Sequence, residues 1–74
     1  MNAIKLNNAL HQVITITFID DKQMTGWLVP SLYYHRRYQI LPLNPNEGIM
    51  EFTRSYVKSY RYLSNGVEVK WEET

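Results

Sequence analysis

Residues 14–28, Ile-Thr-Ile-Thr-Phe-Ile-Asp-Asp-Lys-Gln-Met-Thr-Gly-Trp-Leu, read as two β-strands joined by a tight turn. Ile14, Ile16 and Phe18 alternate with Thr15 and Thr17, the period-two pattern of a half-buried strand rich in β-branched residues. Asp20-Asp21-Lys22 supplies the turn, because aspartates accept local backbone hydrogen bonds and tolerate the dihedrals of tight hairpins. In the second strand, 23–29, Met24, Gly26 and Leu28 share one face, and Thr25, Trp27 and Val29 the other. A glycine inside a strand weakens it unless the backbone must bend or approach another strand closely. A small, strongly curved sheet needs such a bend at Gly26.

The rest of the chain repeats this economy of short strands and brief turns. Residues 3–11 permit one short helix with Leu6, Ala9, Leu10 and Val13 as its apolar stripe, although Asn7 and Asn8 favour an irregular lead-in. Pro30 ends the second strand, and residues 31–37 form a loop. A third strand is expected over 38–43, stopped by the turn signal of Pro42 to Gly48. A fourth follows over 49–52 with Met50 and Phe52 inward, and Thr53 to Tyr56 suit a single helical or 3-10 turn. Val57 to Leu63 makes a fifth strand, Asn65-Gly66 a hairpin turn, and Val67, Val69 and Trp71 alternate in a sixth. The fold class is therefore all-β: a small, strongly bent, five- to six-stranded barrel in one domain spanning 1–74.

Size and composition narrow the function. A chain of 74 residues lies near the lower limit for an independent core. It has no cysteine, so neither a disulfide nor a thiolate metal site is available, and a reducing, cytoplasmic setting is expected. No apolar run is long enough to span a bilayer, and no membrane partner is expected. The net charge of +1 is small for a protein that binds nucleic acid through charge alone. Aromatic content stands out, with six tyrosines in two clusters interleaved with arginine or lysine.

Ile14, Ile16, Phe18, Asp20-Asp21, Met24, Gly26 and Leu28 fall in the register of the first motif of the Sm/LSm superfamily, and over these 15 residues the chain resembles it. That resemblance implies an Sm-like, SH3-like barrel and, in the family, RNA binding and ring assembly through edge strands. Two stretches depart from the family pattern. Pro30 to Arg37 replaces the family's base-holding loop, and Phe52 to Val57 is only similar to its second motif. The expected strand over 67–71 would also cap an edge that a ring pairs with a neighbouring subunit.

No catalytic constellation is present. Asp20 and Asp21 are adjacent in a turn and cannot converge on one substrate, and His11 and His35 stand apart from any serine–carboxylate pair. Nothing indicates an enzyme, a metal site, a cofactor or a small-molecule substrate. Two binding surfaces are expected instead. The favoured one is a protein interface or small homo-oligomer contact built from Trp27, Tyr56, Lys58, Tyr60 and Tyr62, since tyrosine and tryptophan pair an apolar ring with a polar tip. The last four should share one face by strand alternation. The alternative is single-stranded RNA or DNA held by Tyr33, Tyr34, His35, Arg36, Arg37 and Arg54, with rings stacking on bases and guanidinium groups on phosphates.

Overall fold

In a computed structural model that describes residues 5–34 and 36–70, the chain forms one antiparallel sheet of six strands. These are β1 (Val13–Phe18), β2 (Gln23–Pro30), β3 (Arg37–Pro42), β4 (Met50–Thr53), β5 (Val57–Tyr62) and β6 (Glu68–Lys70), with spatial order β4-β3-β2-β1-β5-β6. The only helical pieces among the described residues are 3-10 turns at Leu6–Ala9 and Arg54–Tyr56. Among the described residues no ladder joins β4 to β6, so the sheet they form is open in its hydrogen bonding. It is nevertheless rolled: Phe18 of β1 meets Phe52 of β4 edge-on at 5.3 Å, although β2 and β3 lie between those strands.

The alternation read in residues 14–28 places the core. Ile14, Ile16, Phe18 and Leu28 are buried together with Ile40, Phe52, Val57 and Tyr60. Asp21 takes a left-handed φ of 69° at the β1–β2 turn, and the Asp20 carboxylate accepts the Lys22 N–H at 3.1 Å. Gly26 is required by close approach. A Cβ there would overlap the Leu41 carbonyl and lie 2.8 Å from Pro42 Cα, the residue opposite Gly26 in the β2–β3 ladder.

Two expectations are corrected. The lead-in forms one 3-10 turn and no longer helix: Leu6 and Ala9 are buried and Leu10 packs against the core, but Val13 already belongs to β1. Asn7 and Asn8, residue types of low helix propensity, sit in the middle of this turn. The second correction concerns β5. Phe18 pairs with Val57 and Thr17 with Ser59, which leaves Lys58 as the extra residue of a bulge. Alternation restarts there, so Lys58 does not share the face of Tyr60 and Tyr62. The sixth strand starts at Glu68, one residue later than expected, and Trp71 lies outside the described residues.

Candidate functional site

The tyrosines of β3 and β5 face the lead-in segment. Tyr60 is 2% exposed and donates its hydroxyl to the Lys5 carbonyl at 2.7 Å. Tyr62 donates to the Asn8 carbonyl at 3.3 Å, and Tyr38 to Asn7 Oδ1 at 2.7 Å. Burial, reinforced by the neighbouring Tyr62 hydroxyl, pushes the Tyr60 phenol well above the usual tyrosine range. Backbone bonds from His11 N to the Leu28 carbonyl and from Leu28 N to the Gln12 carbonyl complete the clasp.

These contacts correct the expected tyrosine interface. Tyr60 is a core residue, because the strap carrying Leu6 and Ala9 covers the surface it would have offered. Tyr62 is half-buried under the same strap. Tyr56 stacks on Phe18 at 5.1 Å and donates to Asp20 Oδ2 at 3.0 Å, while Lys58 pairs with Asp21 at 2.7 Å. Both residues therefore pin the β1–β2 turn. The Lys22 N–H, with help from the Tyr56 hydroxyl, holds the Asp20 carboxyl below its ordinary value.

Trp27 is different. Leu28 beside it is fully buried, whereas the indole points outward and is 47% exposed. The ladders set Val13 opposite Trp27 and Trp27 opposite Leu41, and the Leu63 N–H bonds the Val13 carbonyl at 3.2 Å. An apolar row Leu63–Val13–Trp27–Leu41 thus crosses four chain segments on the outer side of the sheet. A shallow depression of about 370 Å³ opens beside it, between Trp27, Leu63 and His11. Beyond the row, the part of the face on β1 and β2 is polar and uncharged: Thr15 and Thr25 hydroxyls bond at 2.8 Å, and Gln23 donates to Thr17 at 3.1 Å, while Arg61 of β5 stands opposite Thr15. Strands β1 and β2 contain no ionisable side chain at all. Sequence reading found Trp27 but missed its row, since Leu41 and Leu63 join it only through cross-strand register.

The loop between β2 and β3 is held at its base. The Ser31 N–H bonds the Arg37 carbonyl at 2.9 Å, and the Ser31 hydroxyl accepts the Tyr33 and Tyr34 N–H groups while donating to Glu51 at 2.8 Å. Tyr33 and Tyr34 are exposed, and the Arg37 guanidinium lies 4.7 Å from the Tyr34 ring centroid. Glu51, which sequence reading did not single out, also accepts from Gln39 and Arg37 and so neutralises Arg37 locally. The Ser31 hydroxyl, then Gln39 and Arg37, keep the Glu51 carboxyl below its ordinary value. Arg36 is exposed with a left-handed φ of 63°, and Arg54 is exposed in the second 3-10 turn, beside the Thr53 that pairs with Arg37. His35 lies outside the described residues.

Among the described residues no group of three or more histidine and acidic side chains could hold a metal ion, and no helix is long and apolar enough to cross a membrane. Comparison with protein-family models, with curated proteins and with solved structures finds no match for this chain.

Proposed function

We propose that this protein is a non-enzymatic binding module that engages another protein through the outer face of its sheet, with Trp27 as anchor. The observation that carries this reading is a half-exposed indole at the centre of an apolar row, on strands without charge. Charge depletion around an aromatic anchor is the compositional mark of an interface core. Of the five side chains first proposed for a protein interface, Trp27 alone is left without an intramolecular task.

The frame is read as the Sm/SH3-like barrel that residues 14–28 resemble. Three features support it: the close approach at Gly26, the Phe18–Phe52 contact across the rolled sheet, and the 3-10 turn between β4 and β5. Strand β6 pairs with β5 and occupies the edge that a neighbouring subunit would need for strand addition there. That favours side-chain docking on a face over edge-to-edge ring assembly.

The test compares wild type with Trp27→Lys, a change at an exposed strand position that leaves the core intact. Protein complexes recovered with the wild type should be lost in the variant while its circular dichroism is unchanged. Identical complexes for both would refute the reading.

A second reading, single-stranded nucleic acid at the β2–β3 loop, is favoured by the exposed rings of Tyr33 and Tyr34 beside Arg36. It requires salt-dependent oligonucleotide binding that Arg36→Ala weakens; no binding at low salt removes it.

A further inference from the structure

The geometry points to a carboxylate-binding cleft on the outer side of the sheet, where β1, β5 and β6 run side by side. Leu63 borders both this cleft and the depression beside Trp27, but Trp27 itself lies outside it. Register and side-chain length build the recess. Gln23, Thr17, Ser59 and Lys70 stand in one cross-strand row, and Thr25, Thr15, Arg61 and Glu68 in the next. Residues opposite one another on a sheet face lie only about 5 Å apart. The long side chains of Gln23, Arg61 and Glu68 therefore wall a floor of the shorter Thr15, Thr17 and Ser59. The recess measures about 240 Å³.

Its floor holds an unspent hydrogen-bonding group. Ser59 is 9% exposed, yet its hydroxyl has no hydrogen-bond partner among the described residues. A hydroxyl covered to this degree ordinarily finds a partner inside the protein. The neighbouring hydroxyls of Thr15 and Thr25 do so, by bonding each other at 2.8 Å. Thr17 accepts from Gln23 at 3.1 Å and keeps its own proton to give. Ser59 and Thr17, opposite one another in the ladder, thus present two hydroxyl donors from the floor.

The charges at the rim are unbalanced in the same direction. Arg61 and Lys70 both pair with Glu68, at 3.6 and 3.4 Å, so two cations share one carboxylate and one positive charge is left over. The Arg61 side chain is 60% exposed, and so open a pair holds its partners weakly, which lets the guanidinium turn to the cleft at little cost. A second carboxylate would complete the charge balance, one oxygen taking the floor hydroxyls and the other the guanidinium, in charge-assisted bonds. The single surplus charge suits such a monoanion better than a doubly charged phosphate. Its source is either a small free acid or the side chain of an acidic residue in a peptide.

The test is a nuclear magnetic resonance titration of the nitrogen-15-labelled full chain with sodium acetate, sodium chloride holding the ionic strength constant. The amides of Thr17, Ser59 and Arg61 should shift saturably, with half-saturation at or below about 10 mM. Ser59→Ala removes no internal bond and should weaken binding about tenfold, and Arg61→Gln at least as much. Glu68→Gln removes the competing carboxylate and should strengthen binding about threefold. N-acetylglutamate N-methylamide separates the two sources. Half-saturation at least about tenfold lower than that of acetate assigns the cleft to an acidic peptide residue, and a smaller difference assigns it to a free acid. Shifts that stay linear to about 100 mM acetate overturn the inference. So does a half-saturation that Ser59→Ala leaves unchanged, or tighter binding of inorganic phosphate than of acetate.

Discussion

Two groups of tyrosines look alike in the sequence and differ in the fold. Tyr33 and Tyr34 stand beside arginines in a loop, and their rings are 79% and 57% exposed. Tyr60 and Tyr62 also flank an arginine, yet their hydroxyls reach back to the carbonyls of Lys5 and Asn8. The difference lies in what each phenol can find. Ile16 and Ile14 pair with Tyr60 and Tyr62 and direct them into the sheet's concave side, where the lead-in segment supplies acceptors. The loop tyrosines find no acceptor for their hydroxyls within the sheet and remain exposed, with only the Arg37 guanidinium set over the Tyr34 ring. Clusters of tyrosine and arginine therefore mark an interface only when no other part of the chain claims the rings.

The sharpest way to break this comparison is Tyr60→Ala. Emptying the largest buried side chain should cost about 3–5 kcal/mol, a large part of the stability of so small a domain. Urea unfolding monitored by circular dichroism reads it, and a shift of the midpoint no greater than that of Tyr33→Ala would erase the distinction.

Tyr60→Phe is smaller and more specific. Losing the hydroxyl bond to the Lys5 carbonyl should cost about 1 kcal/mol. Alkaline behaviour sharpens the point. The folded phenol is raised above the ordinary value of 10.0, so the unfolded chain releases its proton first as pH rises. Stability is then fully present below pH 10.0 and declines above it. The Phe variant should show a shallower alkaline decline in thermal midpoint; equal slopes would contradict the buried assignment.

Acid provides a weaker contrast centred on the loop's base. Glu51 is held below its ordinary value of 4.5, so its contribution is present above that pH and is lost as pH falls through the lower folded value. Ser31→Ala, which removes the leading hydrogen bond to the carboxylate, should flatten this part of the acid limb. An unaltered limb would mean that the Ser31–Glu51 tie does not anchor the loop.

The least effect is expected where the rings are exposed. Tyr33→Ala and Tyr34→Ala should change stability by less than about 0.5 kcal/mol each. A larger loss on the same urea curves would show that these residues also support the fold.

Local pattern made most of the fold legible. The alternation of Ile14, Ile16 and Phe18, the Asp20-Asp21 turn, and the 3-10 turn before β5 all follow from residues a few positions apart. The candidate site was legible only in part. Trp27 could be read as outward from the inward register of Leu28, but the row that makes it an anchor joins residues 63, 13, 27 and 41. Lys58 misled the reading of β5 because a single bulged residue reverses every face after it.

What the linear order of residues determined is the set of strands, their turns and the inward side of β1 and β2, because these depend on the backbone's own period and on local hydrogen bonding. Tertiary structure alone decided which aromatic rings remain available. The strap at residues 5–12 closes over Tyr60 and Tyr62 from more than fifty positions away, and no local pattern encodes which distant carbonyl a phenol will meet. Exposure is a property of what packs above a residue, and that is fixed only once the sheet has rolled.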